Sequence, residues 1–190
     1  MSTREHFIDV GLKLMQERGY EATGLLEILA EAGLPKGSFY HHFGSKEEFG
    51  REVIARYAAR EAERCVHMLS ESKGTPLARL RRYFKELNHV FGPGGDINGC
   101  MIGRLSLDGA AQSDLLRSQL VLAFTGWQKA IEQVLREAKG VGELTTKQPL
   151  PSLAAFLVNG WEGALLRSQA DHSDAALRNF QQIVFDRLLV

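Results

Sequence analysis

The chain has 190 residues, of which 44% are hydrophobic and 24% charged, with 23 basic side chains balancing 23 acidic ones. This is ordinary globular usage with length enough for a sizeable core, and no apolar run is long enough to span a membrane. Met1-Ser2-Thr3-Arg4-Glu5 lacks the apolar stretch of a signal peptide, and two cysteines without a framework spacing point to a reducing, cytoplasmic setting.

Helical periodicity dominates from the start. Phe7, Ile8, Gly11, Leu12, Leu14 and Met15 recur at three-to-four spacing, which predicts a first helix from about Arg4 to Arg18, stopped by Gly19. A second segment runs from Gly24 to Ala32, with Thr23 as the expected cap and Leu26, Ile28 and Leu29 turned inward. Gly33 is a left-handed stop. Pro35 then opens a short helix, because its missing N–H costs nothing in a first turn. Phe39 and Phe43 share its anchoring face, while Lys36, Gly37, Ser38, Tyr40 and His41 supply the polar one. Ser45 caps the next helix, with Glu48 three residues on to complete a capping box.

Helix, glycine turn, short polar-faced helix and a newly capped helix are the layout of a helix-turn-helix DNA reader. Lys36, Lys46 and Thr23 are candidate phosphate contacts, and Gly37 permits a close backbone approach. Ser38, Tyr40 and His41 can hydrogen-bond to the duplex. Charge alone argues the other way: residues 1–48 carry five basic against eight acidic side chains. A DNA reader with that balance must sort its charges by face.

The fourth helix continues through Phe49, Val53, Tyr57 and Met68 to about Leu69, long enough to connect a reader to a body. After a break over Ser70–Pro76, a fifth helix runs from about Leu77 to Phe91. Its Arg79, Arg81, Arg82 and Lys85 read as a solvated basic face. The sequence GPGGDING, Gly92 to Gly99, interrupts the chain before a sixth helix through Cys100, Met101, Ile102, Leu105 and Leu107. A seventh spans about Ser113 to Ala138 on the stripe Leu116, Leu120, Phe124, Trp127, Ile131, Leu135. Two final helices cover about Ser152–Gln169 and Ser173–Leu189. The expected fold is all-α: a three-helix DNA-binding domain over residues 1–48, and a helical regulatory and dimerisation domain over 49–190.

Residues Thr3 to Phe49 resemble the amino-terminal domain of TetR-type transcriptional regulators. The resemblance rests on Gly19-Tyr20, Ala22-Thr23, Glu31-Ala32-Gly33, Lys36-Gly37-Ser38-Phe39-Tyr40, His42-Phe43 and Ser45-Lys46-Glu47. Gly24 departs from the family pattern, which often has a hydroxyl residue there. The resemblance implies an all-helical dimeric repressor with a variable ligand-binding carboxy-terminal domain. Dimerisation is expected through the last two helices. The first of them carries the small residues Ala155, Gly160, Gly163 and Ala164, and the second Leu177, Phe180, Val184 and Leu188. Two readers on a symmetric dimer require a palindromic double-stranded operator.

Cys100 opens a helix after Asn98-Gly99, and orphan N–H groups there favour a thiolate. Arg104, four residues on, adds positive charge. Cys65 reads as structural. Gly99-Cys100-Met101 with Leu105-Ser106 is similar to the NemR-like and AcuR-like branch of the same family. In electrophile-responsive members of that branch the cysteine matching Cys100 is the sensor. The alternative is a reversible small-molecule effector in a pocket lined by Tyr83, Asn88 and Trp127. A distant alternative is a helical-bundle metalloenzyme built on Glu86 and His89, but no second Glu-x-x-His is present, nor a GxSxG or a P-loop. No catalytic residue, metal or cofactor is assigned.

Overall fold

Several helix ends are fixed by their own capping and turn residues. The computed structural model describes every residue of the chain except Asp96 and Asn98. Among the described residues it is all-α: α1 (Thr3–Arg18), α2 (Leu25–Ala32), α3 (Lys36–His42), α4 (Lys46–Val66) with a π turn (His67–Glu71), α5 (Pro76–Phe91), α6 (Met101–Asp108), α7 (Asp114–Gly140), α8 (Leu150–Asp171), and α9 (Ala175–Ile183) with a second π turn (Val184–Leu188). Ser2 and Glu5 form a capping box at α1, and Pro76 occupies the first turn of α5.

The chain forms two compact units, residues 1–60 with 101–123, and residues 61–100 with 124–190. α6 and the start of α7 thus belong to the first of these units.

The first unit is organised around an aromatic cluster. Phe7, Phe39 and Phe49 are fully buried and Phe43 nearly so. Phe39 packs against Phe7 at 5.6 Å and against Phe49 at 5.2 Å between ring centroids, in the edge-on geometry such rings prefer. α1 can approach α4 here because residue 11 is glycine; a β-carbon would collide with the Phe49 ring. Gly19 ends α1 at φ 88°, a region that side chains resist, and faces Asp108 so closely that a β-carbon would strike its carboxylate.

Two local expectations fail here. Leu26 is 79% exposed; only Ile28 and Leu29 of that trio face the core. Gly24, not Thr23, holds the cap position of α2, and Thr23 is wholly buried with its hydroxyl donating to the Gly19 carbonyl at 2.7 Å.

The second unit packs α5 against the carboxy-terminal helices. Phe84 meets Phe180 at 5.4 Å, and Gly160 of α8 leaves room for the Phe180 ring. Leu177 and Val184 are buried within the same subunit. The basic side of α5 is solvated at Arg81, Arg82 and Lys85, which are exposed, and half-buried at Arg79. Arg79 pairs with Glu137, Arg81 with Asp186, and Arg82 donates to Ser72 and Lys73 in the preceding turn.

Candidate DNA reader and sensor site

The candidate reader is α3 with its flanks. Gly33 ends α2 in the left-handed region, and Pro35 takes the cap position before Lys36. Burying Phe39 and Phe43 turns Lys36, Gly37, Tyr40 and His41 outward, with Ser38 half-buried beside them. No carboxylate occurs on α3. Lys36 has no acidic partner among the described residues, and its ammonium lies 5.7 Å from the centre of the Tyr40 ring.

The acidic excess of the first 48 residues is spent elsewhere. Glu31 pairs with Lys13 at 2.6 Å and Glu27 with Arg18. Glu5 and Glu48 serve helix starts, Glu48 accepting from the Gly44 N–H while Ser45 Oγ accepts from the Glu48 N–H. The capping box expected at Ser45 is therefore displaced by one residue on its return bond. Lys46 is partly buried. Its Nζ donates to the Tyr20 carbonyl at 3.0 Å and sits 4.4 Å from the centre of that ring, and burial holds its pKa below the usual lysine range. It ties α4 to the α1–α2 turn. Thr23, being buried, leaves the set of side chains open to a phosphate.

α6 grips the same turn from another side. Asp108 Oδ2 accepts from the backbone N–H of Tyr20 at 2.8 Å and of Glu21 at 3.3 Å. Arg104 donates to the Glu17 carbonyl at 2.6 Å, at the last turn of α1. This is a helix-end contact of the kind guanidinium groups make with the free carbonyls of a helix C-terminus.

In the second unit, Cys100 is half-buried immediately before α6; Asn98, part of the motif that singled it out, lies outside the described residues. Its neighbour is one that the sequence reading missed. Glu162 of α8 is hydrogen-bonded to Cys100, and burial raises its carboxyl to about 7 while that bond pulls the other way. Glu162 Oε1 is buried with no hydrogen-bond partner among the described residues. The available signal was that Glu162 is the one charged residue between Leu150 and Leu166.

The three residues expected to line a pocket have different fates. Tyr83 is buried and accepts a hydrogen bond from Cys65 at 2.9 Å. Burial raises both groups, the Cys65 thiol to about 11. Asn88 accepts from the Trp161 indole N–H at 2.8 Å and donates to Gln181 Oε1 at 3.0 Å, and it lies on the wall of a cavity with His89, Leu177 and Arg178. Trp127 stacks edge-on against Trp161 at 5.5 Å, and its indole Nε1 is buried without a partner among the described residues.

An aromatic-anchored helix-turn-helix joined to a helical body defines a DNA-binding transcriptional regulator rather than an enzyme. The chain belongs to the family described as bacterial regulatory proteins, tetR family, which matches residues 7–53, and a tetracyclin repressor-like C-terminal domain matches residues 76–184. It is 32% identical to the HTH-type transcriptional repressor DhaR of Mycobacterium sp. (strain GP1), over 98% of this chain and 92% of that one. It is 34% identical to the transcriptional regulator AcuR of Cereibacter sphaeroides, over 93% of this chain and 80% of that one. The crystal structure of E. coli NemR in a reduced form superposes with a TM-score of 0.90 at 30% identity, over 99% of this chain and 97% of that one. Among the described residues no helix is long and apolar enough to cross a membrane.

Proposed function

We propose that this repressor binds a palindromic operator as a homodimer in the cytoplasm and leaves it when an electrophile modifies Cys100. The observation that carries the reading is the position of Cys100 at the head of α6, the helix whose Arg104 and Asp108 hold the α1–α2 turn. An adduct at residue 100 demands space, which packed helices give up only by shifting. A shift of α6 loads the turn that sets the posture of α2 and α3. Residues 1–48 act as the reading domain, with Lys36, Gly37, Ser38, Tyr40, His41 and Lys46 at the duplex, and residues 49–190 as the regulatory part.

An exposed stripe on α8 supports dimerisation. Ser152, Phe156, Asn159, Gly163, Leu166 and Ala170 alternate at steps of four and three, the spacing of a helix seam, and Phe156 and Leu166 are 55% and 62% exposed. The resemblance to NemR, AcuR and DhaR, regulators all, supports the repressor role.

The test is a selection from random duplexes at moderate salt, followed by operator binding with and without acrylamide as the electrophile. Sequence preference is expected, with release on alkylation; a coupling of ~1–3 kcal/mol would weaken binding roughly 5- to 150-fold. Absence of sequence preference overturns the operator. A Cys100→Ser protein released equally by acrylamide overturns the sensor. A reversible effector is the second reading, supported by the buried atoms Trp127 Nε1 and Glu162 Oε1, which have no hydrogen-bond partner among the described residues. It predicts a ligand that releases wild type and Cys100→Ser alike.

A further inference from the structure

The interior carboxyl of α8 calls for a reason. A buried carboxylate costs several kcal/mol or more unless something compensates it. Glu162 has no such compensation in charge: of the titratable groups, Cys100 is the one that acts on it. Tyr83 of α5 faces Cys100, and Cys65 of α4 faces Tyr83, and both are neutral groups buried away from water. Among the described residues no lysine or arginine acts on Glu162. The start of α6 favours a thiolate at Cys100, but a carboxylate in hydrogen-bond contact disfavours one by like-charge repulsion. A preformed thiolate beside an ionised Glu162 is therefore a poor resting state, and a neutral thiol bonded to a carboxylate is a good one.

We propose that Glu162 is the proton acceptor for Cys100, taking the thiol proton as sulfur attacks an electrophile. This rests on the electrophile-sensing reading. With an α,β-unsaturated carbonyl compound, the Cys100 sulfur forms a bond to the β-carbon while the S–H proton passes to the Glu162 carboxylate. The π electrons move toward the carbonyl as an enolate, and Glu162 returns the proton to the α-carbon. The net change is addition of S–H across the double bond, with Glu162 restored and no oxidant consumed. The proton passes along the hydrogen bond that already joins the Cys100 thiol to the Glu162 carboxyl, and the other carboxyl oxygen, Oε1, is buried with no competing donor among the described residues. A base that titrates close to the working pH is best suited to such a transfer, and burial brings this carboxyl to about 7.

The experiment measures the rate of Cys100 alkylation by acrylamide against pH, over roughly pH 5 to 9, by mass spectrometry of the Cys100 peptide. Wild type and Glu162→Gln are compared as full chains. Wild type should show a rise through the carboxyl titration, which Glu162→Gln lacks. At neutral pH the variant should react on the order of 10²-fold more slowly, the lower end of a positioned base's contribution. An unchanged rate and pH profile in Glu162→Gln overturns the proposal. A second measurement uses wild type alone. Alkylation removes the S–H bond that pulls the carboxyl down, so the protein should take up a fraction of a proton near neutral pH in weak buffer. No uptake overturns the proposal as well. Operator binding separates this from the sensing reading. If alkylated wild type stays on DNA while the pH profiles differ as expected, sensing fails and the role of Glu162 stands. If Cys100 resists acrylamide in both proteins throughout, both fail.

Discussion

Asp108 and Tyr20 are 88 positions apart and joined by one short bond, from the Tyr20 backbone N–H to Asp108 Oδ2 at 2.8 Å. The same oxygen takes the Glu21 N–H, so a single carboxylate satisfies the turn between α1 and α2. Asp108→Ala should cost about 1.5–3 kcal/mol of stability, the range for hydrogen bonds to a charged group. Operator affinity should fall further than the loss of folded protein explains, because the turn orients the reader. Urea unfolding and DNA binding on the same samples check this. A variant of full stability and unchanged affinity would mean that the contact is idle.

Lys36 and Lys46 should behave differently. Lys36 is exposed and makes no bond that holds the fold, so Lys36→Ala should leave unfolding unchanged. It should lower operator affinity by ~1–3 kcal/mol if it reads a base, or reduce the salt slope by about 1 if it meets a phosphate. Lys46→Met should lose stability as well as affinity, since its ammonium is bonded to the Tyr20 carbonyl. Titrations at several salt concentrations, paired with melting curves, separate the two.

The two thiols should differ in reactivity. Cys65 is buried, bonded to Tyr83, and raised to about 11, whereas Cys100 is half-buried. Brief treatment of the folded protein with iodoacetamide should label Cys100 alone, and treatment in denaturant should label both. Labelling of Cys65 at a comparable rate in the folded state would show that this core opens readily.

Glu162 should make stability depend on pH. Its folded carboxyl is raised from 4.5 to about 7, so the folded state holds the proton more tightly than the unfolded one. Stability is then greatest below the unfolded value, declines as pH rises through the window up to the folded value, and levels off above it. The full loss is on the order of 3 kcal/mol. Glu162→Gln should flatten that part of the profile, as measured by urea midpoints at intervals across the window. A wild-type profile that rises with pH there would contradict the burial of this carboxyl.

The α8 stripe gives a prediction about assembly. Leu166→Glu places a charge on an apolar position that is 62% exposed, so folding should survive while pairing is lost. Sedimentation should then show a monomer where wild type is a dimer, and operator affinity should fall with the loss of the second half-site. A variant that stays dimeric would move the interface elsewhere.

Read along the chain, the sequence determined the all-α class, the helix boundaries to within a few residues and the outward face of α3, because these depend on near neighbours. Gly19 and Gly33 end helices by their own backbone freedom, and Phe39 and Phe43 lie four apart on one face whatever surrounds them. The sequence also determined the family, since the run from Gly19 to Glu47 carries its motif without help from packing. It did not decide partners that lie far apart. Thr23 looks like a cap beside Gly24, yet the fold turns its hydroxyl back to the Gly19 carbonyl. Leu26 fits the apolar period of α2 but lies on the side the core does not reach. Arg104 sits one turn from Cys100 along the chain, while its guanidinium is committed to the Glu17 carbonyl. Glu162 is 62 positions beyond Cys100 and becomes its neighbour only when α8 packs. Local periodicity places a side chain on a face, and tertiary packing alone chooses what that face meets.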